Sequence, residues 1–97
     1  MATFITLLNF TDQGIRNVKE SPSRVDAFKK MAGSVGVTVK NVYYTLGTYD
    51  LVVVTEGDEE AAMATLLRAG SLGNVRSQTM RGFSVDEFTK IAARMPT

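Results

Sequence analysis

Two short segments place side chains capable of acid–base or anion chemistry beside turn-forming residues. In Gly47-Thr48-Tyr49-Asp50 a phenol stands next to a carboxylate, just after a glycine that is free to take positive φ. Such a pair can border a ligand pocket, with Asp50 as base or anchor and Tyr49 as donor. The same four residues also make a complete hairpin turn, because a turn aspartate bonds nearby backbone N–H groups. In Gly73-Asn74-Val75-Arg76 the backbone N–H groups of a Gly-Asn turn can meet an anion, and Arg76 adds a fork of donors. This segment equally well ends a helix and starts a strand. Tyr43 and Tyr44 fall on opposite faces of one extended run, so at least one faces a covered side. With Phe4, Phe10 and Met80 they can line an apolar cavity between sheet and helices, or simply belong to the core.

Other chemistries lack their residues. The chain has no Cys and no His, which removes thiol nucleophiles, disulfides, His-based triads and almost every transition-metal site. No metal or cofactor is expected. Asp58, Glu59, Glu60, Asp86 and Glu87 read as helix-start charges. Asp50 and Glu56 remain, separated by extended chain at about 3.3 Å per residue, too far apart for a paired-carboxylate mechanism. There is no glycine-rich phosphate loop. Arg16, Lys19, Arg24, Lys29 and Lys30 read as a solvated basic face, with Glu20 and Asp26 interleaved and no stacking aromatics among them. A net charge of +1 gives no footprint for nucleic acid or an acidic membrane.

The elements that must position these residues follow from 97 residues of ordinary globular composition, a single domain over 1–97. The longest aliphatic run, Leu51-Val52-Val53-Val54, is far too short to span a bilayer. The start has no signal-peptide pattern, and the absence of Cys is compatible with a cytoplasmic location. Phe4 to Phe10 reads as a strand. Thr11-Asp12 caps a short helix with Ile15 and Val18 on one face, and Ser21-Pro22 opens a longer helix carrying Val25, Phe28, Met31, Ala32 and Val35. Gly36 stops it. Val37 to Leu46 and Leu51 to Thr55 form an antiparallel pair around the 47–50 turn. Asp58 caps a helix whose apolar face is Met63, Leu66 and Leu67, ended by Gly70 or Gly73, and Asn74 to Met80 is a more polar strand. Ser84-Val85-Asp86-Glu87 fits a capping box, with Phe83 and Phe88 as a staple and Val85, Phe88, Ile91, Ala92 and Met95 along one face.

The order is β-α-β-β-α-β plus a terminal helix, an α+β, ferredoxin-like sandwich with spatial strand order 4-1-3-2. Right-handed crossovers put both helices on one face of the sheet. Yet the central strands are apolar on both faces: Phe4, Leu8 and Phe10 oppose Ile5 and Leu7, and Val52 and Val54 oppose Leu51 and Val53. Leaving about four such residues wet would cost on the order of 6–12 kcal/mol, comparable with the stability of a small domain. A second copy packed sheet to sheet would cover them, giving a two-fold homodimer through the open face. The alternative cover is the chain's own terminal helix.

Leu46-Gly47-Thr48-Tyr49-Asp50-Leu51-Val52-Val53-Val54, together with Thr11-Asp12-Gln13-Gly14-Ile15-Arg16-Asn17-Val18-Lys19 and Ser71-Leu72-Gly73-Asn74-Val75-Arg76, resembles the signature of the GYD-domain family in order over nearly the whole chain. The resemblance implies a small dimeric α/β-barrel protein of ferredoxin-like fold and brings no catalytic residue or ligand with it. The functional expectation is a homodimeric small-molecule-binding or interaction module without catalysis. Its site, for a small apolar or anionic ligand, would be bordered by Tyr43 or Tyr44, Tyr49, Asp50 and Arg76. The rival is a small cofactor-free enzyme, an isomerase or monooxygenase, using Tyr49 or Asp50 as acid/base with Arg76 holding an anionic intermediate; it rests on analogy of fold.

Overall fold

A computed structural model describes residues 1–97. The first strand, β1, runs Ala2–Phe10 and leads into the short helix α1, Asp12–Arg16. Thr11 caps α1, its side chain accepting from the Gly14 N–H at 3.1 Å. A 3-10 turn, Val18–Glu20, then joins α1 to α2, Ser21–Ser34. The turn interrupts what the sequence suggests is one face: Ile15 and Val18 both stay exposed. Pro22 occupies the first turn of α2, and Gly36, with φ of 81°, ends the helix as expected.

Strands β2, Thr38–Tyr44, and β3, Leu51–Gly57, form the hairpin; α3, Glu59–Ser71, β4, Val75–Gly82, and α4, Val85–Ala92, complete the chain. The sheet order is β2-β3-β1-β4 with every neighbouring pair antiparallel, the arrangement the sequence predicts. A bulge at Lys40, between Val39 and Asn41, breaks the β2–β3 register.

Cross-strand pairing assigns the faces. Phe4, Thr6 and Leu8 pair with Thr55, Val53 and Leu51 and are buried beneath α2 and α3. Ile5 and Leu7 pair with Val54 and Val52 on the opposite face, where all four are half-buried. The expected opposition of the two sets therefore holds residue for residue.

The helices depart from the expected pattern in three places. In α3 the buried residues are Ala62 and Thr65, whereas Met63 and Leu67 are 60% and 66% exposed. Small residues let α3 approach the sheet closely, and Thr65 satisfies its hydroxyl by donating to the Ala61 carbonyl at 2.8 Å. Val35, at the end of α2, is also exposed. The capping box of α4 forms as read: the Glu87 N–H donates to Ser84 Oγ at 3.1 Å and the Ser84 N–H to Glu87 Oε1 at 2.9 Å. Phe83 and Phe88, however, remain more than half exposed, with the Arg81 guanidinium 4.3 Å from the Phe83 ring centroid. The helix α4 has no extensive packing on any strand or helix, and Val85, Phe88, Ile91 and Met95 are all exposed. The chain's own tail thus does not roof the open sheet face.

Candidate functional site

The Gly47–Asp50 turn is built as a cap on the sheet. Gly47 takes φ of 122°. The Asp50 N–H donates to the Leu8 carbonyl at 2.8 Å, and the Asp50 carboxylate accepts from the Phe10 N–H at 2.9 Å. Asp50 therefore satisfies two backbone groups at the end of β1. The Tyr49 hydroxyl donates to Gln78 Oε1 at 3.2 Å, crossing from the turn to β4. Gln78 pairs with Leu7, which places the Tyr49 tip beside the open sheet face.

The five residues singled out in the sequence do not converge on one pocket. Tyr43 pairs with Val52 on the open face and is 59% exposed. Tyr44 lies on the helix side, where its hydroxyl bonds the Ser21 hydroxyl at 2.8 Å. Arg76 is exposed on β4, opposite Asn9. The turn before it points carbonyls, not an anion cradle, at its neighbour: Thr11 donates to the Gly73 carbonyl through its hydroxyl at 2.6 Å and to the Asn74 carbonyl through its N–H at 3.0 Å. Gln13 adds bonds to the Leu72 carbonyl and to Asn74 Oδ1. Gly14 permits this docking, because a Cβ there would lie 2.0 Å from the Asn74 carbonyl oxygen. Tyr43, Tyr49 and Arg76 thus edge the open face, Asp50 closes a strand end, and Tyr44 ties β2 to α2.

The apolar cavity between sheet and helices exists, at about 310 Å³, with a different lining from the one expected. Phe4, Phe10, Met80 and the tyrosines are not in it; Leu8, Val25, Phe28, Val53, Leu66 and Leu72 are the main apolar walls. The reason is geometric. Met80 pairs with Ile5 on the open face, Phe4 lies near the start of β1, and Phe10 packs behind Leu8, Leu51 and Val53 rather than in the lining.

Sequence reasoning also missed Arg24, which is not part of a solvated basic face. It lines the cavity, donates from Nη1 to the Asn17 carbonyl at 3.0 Å, and leaves Nη2 buried without a hydrogen-bond partner. The available signal was its position: Ser21, Arg24, Val25 and Phe28 recur at helical spacing on one stripe, so Arg24 falls on the inward side of α2. Arg16, Lys19, Lys29 and Lys30 are exposed as expected.

No helix is long and apolar enough to cross a membrane. In α4, hydrogen bonds from Ser84, backbone first and side chain second, hold the Glu87 carboxyl below the usual glutamate range.

Comparison with known proteins adds relatives to this geometry. A protein from Thermus thermophilus, the glutamine synthetase and cystathionine beta-lyase binding protein, is 33% identical over 87 residues, covering 88% of this chain and 92% of that protein. Among solved structures, MtbAldR superposes with a TM-score of 0.66 at 12% identity over 86% of this chain, which spans about half (52%) of that one. FFRP-DM1 superposes with a TM-score of 0.57 at 19% identity over 86% of this chain and all of the other. At these identities the structures speak for the fold alone, which is ferredoxin-like. The GYD domain model matches residues 4–92, in agreement with the three motif segments, and the chain belongs to the GYD domain family.

Proposed function

We propose that this single domain works as a non-catalytic, cytoplasmic protein-interaction module. In this reading it is a homodimer joined through the helix-free face of its sheet. The observation that carries the reading is the uncovered apolar centre of that face, formed by Ile5, Leu7, Val52 and Val54. Around it stand Tyr43, Met80, the Tyr49–Gln78 pair and Arg76. An apolar centre with a rim rich in Tyr, Met and Arg is the composition of a protein interface. The expected ligand-facing role of Tyr43, Tyr49 and Arg76 becomes, on this reading, contact with a second copy. Asp50 and Tyr44 support the fold behind it.

The Thermus relative is named for binding two enzymes, glutamine synthetase and cystathionine beta-lyase. By extension, the dimer here would present paired surfaces to an enzyme of amino-acid metabolism. The acid/base reading of Tyr49 and Asp50 has less support, since both side chains are already engaged with Gln78 and Phe10. Sedimentation equilibrium at micromolar protein tests the assembly. A species of twice 10.6 kDa is expected, and a single species of monomer mass would overturn it. Surface plasmon resonance against purified glutamine synthetase tests the module role.

A further inference from the structure

The cavity beneath α2 and α3 lies on the other side of the sheet from the proposed interface, and nothing in that reading uses it. Its walls are predominantly aliphatic, yet two arginines, Arg24 and Arg68, line it and no acidic residue does. The molecule's one ion pair is Lys40 with Glu56, so neither arginine has a carboxylate of its own. Most of the cavity's other polar side chains are occupied. The Thr6 hydroxyl bonds Thr79 at 2.9 Å, the Ser21 hydroxyl bonds Tyr44, and Asn74 Oδ1 accepts from Gln13. Ser77 and Arg68 are exposed, so the one buried side-chain atom without a partner is Arg24 Nη2.

A buried charged donor left without an acceptor is costly, and the full cost is recovered only when an anion or a strong acceptor meets it. We propose that this cavity binds a small amphipathic monocarboxylate. Its carboxylate would accept from Arg24 Nη2, and its aliphatic body would lie against Val25, Phe28, Leu66 and Leu72. A single negative charge fits because Arg24 is the one arginine with a buried, unpartnered donor here, and one buried guanidinium can offset the desolvation of a monoanion but not that of a multiply charged phosphate. A planar carboxylate also matches the guanidinium fork. The volume of about 310 Å³ falls at the small end of ligand pockets. Arg68, itself exposed on α3, adds a second, solvent-facing positive charge to the lining.

The test titrates sodium octanoate, octanol and octylammonium into the full chain, following methyl resonances of Val25 and Leu66 against those of Ile5 and Val54. Octanoate is expected to shift the Val25 and Leu66 methyls and leave Ile5 and Val54 in place. It should bind at least about tenfold tighter than octanol, with octylammonium weakest. Arg24→Met, which keeps an unbranched apolar stem and removes the guanidinium, is expected to make octanoate and octanol equal. The comparison on the unaltered protein needs no variant and decides the matter even if Arg24→Met fails to fold. Equal binding of octanoate and octanol to the unaltered protein overturns the proposal. So does the absence of binding by octanoate at millimolar concentration, or a response confined to Ile5 and Val54. None of these outcomes bears on the sedimentation result, so the cavity and the dimer can fail separately.

Discussion

The Asp50 carboxylate accepts a hydrogen bond from the backbone N–H of Phe10 at 2.9 Å, joining the 47–50 turn to the end of a strand forty residues earlier in the chain. The bond makes Asp50 a closing piece of β1. Asp50→Ala should leave the Phe10 N–H unpaired and lower stability by about 1–3 kcal/mol, readable as a fall in Tm of at least about 4 °C. Asp50→Asn retains an acceptor oxygen and should recover most of the loss. A thermal melt of the two variants side by side checks this.

Gly14 and Gly33 should respond in opposite directions to the same substitution. A Cβ at Gly14 would strike the Asn74 carbonyl oxygen, a backbone atom that cannot turn aside. Gly14→Ala is expected at the upper end of the roughly 1–3 kcal/mol cost of overpacking. Gly33 lies within α2 with nothing near its missing Cβ. Gly33→Ala should stabilise by about 0.4–1 kcal/mol. Urea unfolding of both proteins gives the two signs directly.

A charge placed in the middle of the helix-free sheet face should separate the proposed dimer without undoing the core. Val54 pairs with Ile5 there and is half-buried in one copy of the chain. Val54→Lys is expected to shift the sedimentation equilibrium to monomer while far-ultraviolet circular dichroism stays that of a folded α+β protein. A dimer of unchanged stability would move the interface elsewhere.

Helix α4 should lose helicity in acid. Its N-terminus depends on the reciprocal Ser84–Glu87 bonds, and these bonds hold the Glu87 carboxyl below its ordinary range. A carboxyl whose pKa is lowered on folding adds stability that is complete above its unfolded value and is lost as pH falls through the folded one. The helicity of α4 should therefore be full at neutral pH and decline below about pH 4. Ser84→Ala should weaken the helix at all pH values, by about 0.5–2 kcal/mol. Amide exchange at Phe88 and Ile91 is the readout, since α4 packs on little else and its loss barely moves the global Tm.

Most of the fold was legible because its signals are local. Thr11, Asp58 and Ser84 each cap the helix they precede, Gly36 ends α2, and the unbroken apolar runs of β1 and β3 mark them as the central strands, apolar on both faces. Reading failed where tertiary contact overrides local pattern. Met63 and Leu67 were the more apolar choice for the buried side of α3, but the close approach of helix to sheet selects Ala62 and Thr65. The candidate site was less legible for the same reason. The Tyr49–Gln78 and Ser21–Tyr44 bonds join residues 29 and 23 positions apart, and no spacing rule connects them. Arg24 was the recoverable case: its place on the apolar stripe of α2 was in the sequence, and its charge concealed it.

The bulge at Lys40 has a consequence for how copies of this molecule can meet. The strands β2 and β4 form the two rims of the sheet, and each would otherwise offer its free backbone groups to a strand from another molecule. The kink on one rim and the exposed Arg76 and Arg81 on the other make continuous ladder growth unfavourable. Stacking broadside remains open while edgewise polymerisation into fibrils is discouraged, so a sheet this greasy on its bare side can stay in finite, closed assemblies.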